Sequence, residues 1–397
     1  MSPKRHLLLA TCSVGIEALL ADELRELGCQ SVEERRGAVA WRGTLESAYR
    51  TLLESRLASR VLLEVGFGKA TSERVLYDTV SAIDWSAHAS PEHSLAVDFL
   101  GLNPGIRHTG FGAQRVKDAI CDRLRQDQGR RPDVDRASPD LRIHAFLTEK
   151  HIAISIDLAG PPLHQRSGGA EGGQAPLKET LAAAILRLAG WHRRPRPLLD
   201  PMCGTGTLLR EAAAMARGDA AGLLRTRWGF QGWVGHQPAL WEGLVQQARE
   251  RAPRPVPPIF GRDRDPASLA QARQSLARLG LADCVQLEQG ELAQARPPVE
   301  GPGMVLCNPP YGERLGDEAE ARRTMGELGD VLRRHFLGWE AWILAGSPAL
   351  ARGLGLRPEQ RIPIWNGPIE CRLLQVPIDT RPVKDEAGPH REPPAPR

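Results

Sequence analysis

Apolar residues recur at helical spacing near the start of the chain. Ile16, Leu19, Leu20, Leu24 and Leu27 fall on one face, and Gly28 closes the run. The spacing predicts an amphipathic helix from Gly15 to Leu27. Short apolar runs around it predict strands from His6 to Ala10, Ala38 to Arg42 and Arg60 to Phe67, with a second helix from Leu45 to Ser55. This order predicts a small α/β unit over residues 1–65, with no visible chemistry.

Residues 66–165 read as a second unit. Leu95 to Phe99 is a strand, and Leu141 to Leu147 alternates as a half-buried one. Ile152 to Asp157 pairs with it as a hairpin turning at Thr148, Glu149 and Lys150. Between them, a glycine-containing loop from His108 runs into a helix that carries Arg115 and Lys117 in its first turns. Glycines beside a helix start, flanked by cations, are expected to cradle phosphate. Arg107, Arg123, Arg125, Arg130, Arg131, Arg136 and Arg142 add to the basic run, although such a run is more often a solvated face.

Residues 170–380 change rhythm to alternating strand and helix. Leu177, Leu181, Ala184, Ile185 and Leu188 share a helix face that ends at Gly190, and the polar Lys178, Glu179 and Thr180 could close over a ligand. Strands follow at Leu198 to Asp200, Ile259 to Asp263, Val285 to Glu288, Val305 to Cys307 and Ala341 to Leu344. Asp265 and Pro266 form an N-cap and first helical residue, and Asn366-Gly367 marks a closing hairpin. The pattern predicts a doubly wound, Rossmann-like α/β domain. Trp228, Phe230, Trp233 and Trp241 sit in a long connection; Trp241 is expected in the core, with Trp228 and Trp233 open to a role in a base pocket. Residues 381–397 are Pro-rich and charged, the composition of a disordered tail.

Composition adds little: 41% hydrophobic and 25% charged residues are ordinary for a soluble protein, and a net charge of +4 leans only slightly towards an anionic partner. No stretch of 18 apolar residues exists, and the run from Leu7 to Ala10 is too short for a secretory signal, so a cytoplasmic protein is expected, with no membrane association. The seven cysteines form no C-x-x-C pair and lie near no histidine pair at zinc spacing. Reduced buried thiols and no metal site are expected; His88 and His93 share a loop without a third ligand.

The chemistry gathers at three strand ends. Leu198-Leu199-Asp200-Pro201-Met202-Cys203-Gly204-Thr205-Gly206 reads as strand and glycine-rich turn before a helix, without the P-loop pattern. Ile259 to Asp263 is a strand ending in an acid, where doubly wound folds place a ribose-hydroxyl acceptor. Val305-Leu306-Cys307 empties into Asn308-Pro309-Pro310-Tyr311. The Asn308 side-chain carbonyl and the Pro309 backbone carbonyl can each accept one N–H from an exocyclic amine, which leaves its lone pair free to attack. The two prolines hold the turn rigid, and Tyr311 offers a face on which a base can stack.

These three motifs, in this order, resemble class I S-adenosylmethionine-dependent methyltransferases that act on amino groups. The resemblance implies that Asp200, Cys203, Gly204 and Gly206 line the methionine end of the cofactor, that Asp263 holds the ribose, and that Glu291 sits near the adenine, where aspartate is more usual. Arg115 to Ile120, Ser155 to Gly160 and Leu163-His164-Gln165-Arg166 resemble a THUMP domain, an RNA-binding module. With Asn-Pro-Pro-Tyr-Gly-Glu-Arg, Ala-Pro-Leu-Lys-Glu-Thr-Leu and Asn-Gly-x-Ile-Glu-Cys, the whole resembles bacterial THUMP-containing methyltransferases that make N2-methylguanine in large-subunit ribosomal RNA. It implies an N-terminal ferredoxin-like unit, RNA contacts from Arg115, Lys117 and Arg166, and 23S ribosomal RNA or a pre-ribosomal particle as partner. One departure is that Arg166 is followed by Ser167-Gly168-Gly169 where the family has Gly-Tyr-Arg. Asn-Pro-Pro-Tyr alone would also serve a transfer RNA guanine, a DNA adenine or a protein glutamine, and a non-catalytic RNA-binding factor would keep the same fold.

Overall fold

The structure is a computed structural model that describes residues 4–166, 177–311 and 318–379. Ser167, Gly168, Gly169 and the 381–397 tail, to which expectations attach, lie outside the described residues, as do Gly312, Glu313 and Arg314 of the Asn-Pro-Pro-Tyr-Gly-Glu-Arg motif and Ala175 and Pro176 of Ala-Pro-Leu-Lys-Glu-Thr-Leu.

The first half of the chain builds one seven-stranded sheet. Its strands are β1 (His6–Thr11), β2 (Glu33–Arg35), β3 (Ala38–Gly43), β4 (Arg60–Lys69), β5 (Leu95–Leu100), β6 (Leu141–Leu147) and β7 (His151–Asp157), in the order β2-β3-β1-β4-β7-β6-β5. Helices α1 (Glu17–Glu26), α2 (Leu45–Glu54), α3 (Glu73–Ser81) and α4 (Thr109–Gln128) accompany them. The expected boundary near residue 65 falls inside β4. Leu63 pairs with Leu8 of β1 on one side and with Ile156 of β7 on the other, so β4 belongs to both units.

Alternation explains the burial. Ile152, Ile154 and Ile156 of β7 are fully buried, as are Ile143 and Ala145 of β6. The glycines before Arg115 are helical residues rather than a loop, because α4 already begins at Thr109. Gly112 lets the Phe99 ring approach; a Cβ there would lie 2.7 Å from it. Gly112 thus serves packing against β5, and Arg115 and Lys117 fall in the second and third turns of α4 rather than at its start.

The second half forms a second seven-stranded sheet from β8 (Leu198–Asp200), β9 (Ile259–Asp263), β10 (Val285–Gln289), β11 (Met304–Cys307), β12 (Glu340–Ala345), β13 (Gln360–Asn366) and β14 (Ile369–Pro377). The order is β10-β9-β8-β11-β12-β14-β13, parallel as far as β12 and antiparallel at β14 and β13. Among the described residues six α-helices accompany the strands: α5 (Glu179–Leu188), α6 (Thr207–Arg217), α7 (Pro238–Arg249), α8 (Pro266–Arg278), α9 (Glu318–His335) and α10 (Pro348–Gly353). Asp265 caps α8 as expected, accepting from the Ala267 and Ser268 amides at 3.1 Å. Gly367, at φ +61°, turns the closing hairpin. Strand order reverses between β8 and β11, and ligands of such sheets bind outside the carboxyl ends of the strands at that switch point.

Two features join the halves. Tyr49 of α2 packs against Phe230 and Trp241 at ring distances of 4.9 and 5.6 Å, and Trp228 lies 4.9 Å from Trp241. Trp228 and Trp233 are 4% and 6% exposed, so they cement this junction rather than shape a base pocket. The second feature is ionic. Glu211 of α6, buried, accepts from Arg56 at 3.0 Å and from Arg166 at 2.5 Å. The two guanidinium charges hold its carboxyl below the usual range against the effect of burial.

Candidate active site

Three strands of the second sheet deliver the candidate chemistry to one cleft of about 620 Å³. Asp200 from the end of β8, Asp263 from the end of β9, and Asn308 and Pro310 just beyond β11 all line it. Cys203, Gly204 and Glu291 line it as well. Gly206, Pro309 and Tyr311 are not part of its wall.

The glycine turn is drawn across the sheet edge by hydrogen bonds. The Cys203 amide donates to the Arg262 carbonyl at 2.9 Å, and the Gly204 amide donates to the Asp263 carboxylate at 2.7 Å. Gly204 and Gly206 adopt φ of +50° and +76°, a region that favours glycine. Gly206 thus acts by turning the chain into α6, whose first amides remain available to a ligand. Gly261 on β9 must be small too: a Cβ there would sit 2.3 Å from Leu209.

Asp263 does not pair with Arg262, which instead binds Glu288 at 2.8 Å. The other Asp263 oxygen accepts from the Asp265 amide at 2.9 Å. A carboxylate oxygen has lone pairs beyond one such bond, so Asp263 can still accept a hydroxyl from the cleft. Asp200 is 2% exposed and accepts from the Met202 amide at 3.1 Å. Burial pushes its carboxyl up to about 7, with the nearby Asp263 charge adding to the effect. Burial also pushes the Cys203 and Cys307 thiols up, which keeps them protonated and argues against nucleophilic roles.

Asn308 is half-buried, and its Oδ1 accepts the Tyr311 hydroxyl. The Tyr311 ring packs against Gly346, where a Cβ would lie 2.6 Å from the ring. Burial pushes its hydroxyl up, so it stays a donor. Tyr311 therefore orients the Asn308 amide and does not present a stacking face to the cleft; the expected platform role is corrected. The exposed ring nearest in sequence that does face the cleft is that of Pro310.

The expected RNA contacts fare less well. Arg166 is 7% exposed, held by Glu211 and the Arg56 carbonyl, and cannot reach solvent RNA. Arg115 lies over the Tyr77 ring at 4.8 Å, and Lys117 pairs with Asp118 at 2.8 Å. Arg123, Arg131 and Arg142 pair with Asp127, Asp122 and Asp98. Much of the basic run is neutralised within its own unit.

Sequence reasoning missed the far wall. Glu320, Thr324 and Glu327 reach the cleft from α9, one turn or so apart, and Ser268 and Gln271 reach it from α8. The i, i+4, i+7 spacing of the first three was a signal, but two internal glycines, Gly326 and Gly329, hid α9 as a helix.

Comparison with known proteins gives the family. The family described as RMKL-like, methyltransferase domain, matches residues 169–375, just over half of the chain. The chain belongs to the RMKL-like methyltransferase family. The RlmL ferredoxin-like domain matches residues 7–62 and the THUMP domain residues 70–157. The fold is therefore a class I methyltransferase domain behind a ferredoxin-like and THUMP region. The chain is 45% identical over 385 residues to the ribosomal RNA large subunit methyltransferase K/L of Ectopseudomonas mendocina, covering 95% of this chain and 53% of that one. It spans about half the length of the curated relatives it matches. Among solved structures, SMU.472, named as a putative methyltransferase complexed with SAH, superposes with a TM-score of 0.82 at 27% identity, covering 96% of this chain and 100% of that one. A predicted N6-adenine-specific DNA methylase from Listeria monocytogenes gives 0.83 at 28% identity, over 94% and 96%. No described helix of this RMKL-like chain is long and apolar enough to cross a membrane.

Proposed function

We propose that this RMKL-like chain transfers a methyl group from S-adenosylmethionine to the exocyclic N2 of a guanine in 23S ribosomal RNA. The observation that carries the reading is the meeting of Asn308 and Pro310 with Asp200, Gly204 and Asp263 in one cleft at the strand switch point. The relatives named as ribosomal RNA large subunit methyltransferases support the substrate.

The residues present fit the cofactor. The cleft's volume is that of a small-molecule site. Asp200, Asp263 and Glu291 supply carboxylates that suit a cationic amino-acid end and ribose hydroxyls. When bound, S-adenosylmethionine supplies a methyl group already activated on a sulfonium. The protein's part is then positional. A guanine amine is a weak nucleophile because its lone pair is delocalised. Asn308 at the cleft wall takes one of its N–H groups, the backbone carbonyl of Pro309, the next residue and itself just behind that wall, is assigned the other, and the lone pair is turned free, a gain in orientation. As positive charge builds on the nitrogen the same carbonyls stabilise it, and no strong base is required before transfer. Residues 170–380 carry this chemistry, 1–65 and 66–165 engage structured RNA, and one base is displaced into the cleft.

An adenine amine is the second reading, favoured by the likeness to the Listeria protein named as an adenine methylase, since the same two carbonyls would hold it. Transfer RNA guanine is the third. Incubation with labelled S-adenosylmethionine and, separately, unmodified ribosomal RNA and transfer RNA tests all three. Label in N2-methylguanosine from ribosomal RNA alone is expected. Label in an adenosine, or from transfer RNA alone, would replace the substrate named here.

A further inference from the structure

With the basic run largely paired off, the question is what on the first sheet meets RNA. Among the described residues, Phe67, Phe111 and Phe146 are the exposed phenylalanines, and all lie in or beside the THUMP region. Phe67 and Phe146 are 65% and 55% exposed, and strand register places them on one face. Phe67 of β4 pairs with Ala153 of β7, Ala153 pairs with Phe146 of β6, and Phe146 pairs with Leu100 of β5. These four positions form a row across four strands, with the rings roughly 10 Å apart by strand spacing and a methyl group as the floor between them.

The opposite face of the sheet here is covered by helices α3, against β4, and α4, against β5. Gly68 next to Phe67 faces α3: a Cβ there would lie 2.6 Å from Thr79. Phe67 therefore points away, to solvent. Its ring is held flat by His151, stacked at 5.3 Å and 12°. Lys69 shares the face, pairing with His151, and the Ala70 amide bonds the Lys150 carbonyl, which brings a second lysine to the same edge. Neither lysine has an ion pair among the described residues; Glu149 is the carboxylate in the same turn.

Two solvated rings on adjacent parts of an open sheet, with unpaired cations at their edge, suit unpaired nucleotides: bases stack on the rings while the lysines meet phosphates. Leu100, 54% exposed, extends the apolar row beyond Phe146, so the row alone would also suit a protein; the lysines at its edge, without ion pairs among the described residues, favour a phosphate-bearing partner instead. We infer that this face is a stacking platform for single-stranded RNA, built on Phe67 and Phe146. The inference rests on the reading of RNA as substrate, and it names the kind of RNA held outside the cleft: an unpaired segment, rather than duplex.

The test uses the full chain and two labelled probes, a ten-nucleotide uridine-rich RNA strand and an RNA duplex of the same length, followed by fluorescence anisotropy. The single strand is expected to bind more tightly. Phe67→Ala and Phe146→Ala should each weaken it on the order of tenfold, Phe67→Tyr should restore it, and Leu100→Ala should change little. These side chains sit at the surface of the strands, so cofactor binding should be unaltered. Unchanged single-strand affinity in both alanine variants overturns the inference. So does a preference for duplex, or a wild-type dimer that the alanine variants dissociate in sedimentation. If ring variants bind as wild type while ribosomal RNA is still methylated, only this inference falls. If the wild type methylates no RNA, the substrate reading falls, and oligonucleotide binding still decides the platform separately.

Discussion

The Asp263 carboxylate accepts the Gly204 amide at 2.7 Å and so ties the glycine turn after β8 to the end of β9. One acid thus shapes the loop it also serves, and its two tasks can be separated. Asp263→Ala removes both the tie and the hydroxyl acceptor. A charge-assisted bond of this kind contributes about 1.5–3 kcal/mol, so S-adenosylhomocysteine affinity should fall between about tenfold and 150-fold by calorimetry. Asp263→Asn keeps one acceptor oxygen and should lose less. Equal affinity in wild type and Asp263→Ala would remove Asp263 from the site.

Asn308 should matter to transfer and not to cofactor binding. Asn308→Ala is expected to lower kcat by at least 10²- to 10³-fold, on the order of losing an electrostatic partner of the transition state. S-adenosylhomocysteine affinity should stay within a few-fold. Weakened cofactor binding with normal turnover at saturation would contradict the assignment.

Tyr311 should act through Asn308. Tyr311→Phe keeps the packing against Gly346 and deletes only the hydroxyl bond to Oδ1. The expected result is a lower kcat with little change in thermal stability. A large fall in Tm with normal kcat would show a packing role alone.

Asp200 introduces a pH dependence. Burial lifts its carboxyl from 3.8 to about 7, so the folded chain holds the proton more tightly than the unfolded one. Its contribution to stability is therefore greatest at low pH and declines as pH rises from about 4 to about 7. Binding of a cationic amino-acid end runs the other way, since it needs the carboxylate. S-adenosylhomocysteine affinity should rise between pH 6 and 8, a range centred on that value of about 7, and the rise should vanish in Asp200→Asn. A flat profile in the wild type would refute this.

Glu211 couples the two halves of the chain. Glu211→Ala leaves Arg56 and Arg166 buried without their shared anion, a loss of about 3–5 kcal/mol. A Tm within 1 °C or so of wild type would show that the triad contributes nothing.

What the sequence could convey follows from how local each feature is. Strand ends and turns are local, so Asp200, Asp263 and Asn308 were legible as a set, as were the Asp265 cap and the Asn366-Gly367 turn. Side-chain partners are not local. The resemblance implied an RNA contact for Arg166, and nothing near it in sequence reveals Glu211, 45 residues away. Tyr311 read as a stacking face because its neighbour Gly346 lies just past β12, on a different part of the chain. The shared strand β4 was hidden for the same reason: a strand's sequence shows its two faces but not which strands flank its edges.

The central claim is that Asn308 presents an exocyclic amine for methylation. The most direct measurement is tandem mass spectrometry of nucleosides from 23S ribosomal RNA lacking this modification, after treatment with wild type or Asn308→Ala and labelled S-adenosylmethionine. The account predicts label on guanine N2 with the wild type and almost none with the variant. Label on a ribose oxygen or a ring carbon, or equal N2 labelling by the variant, would contradict it.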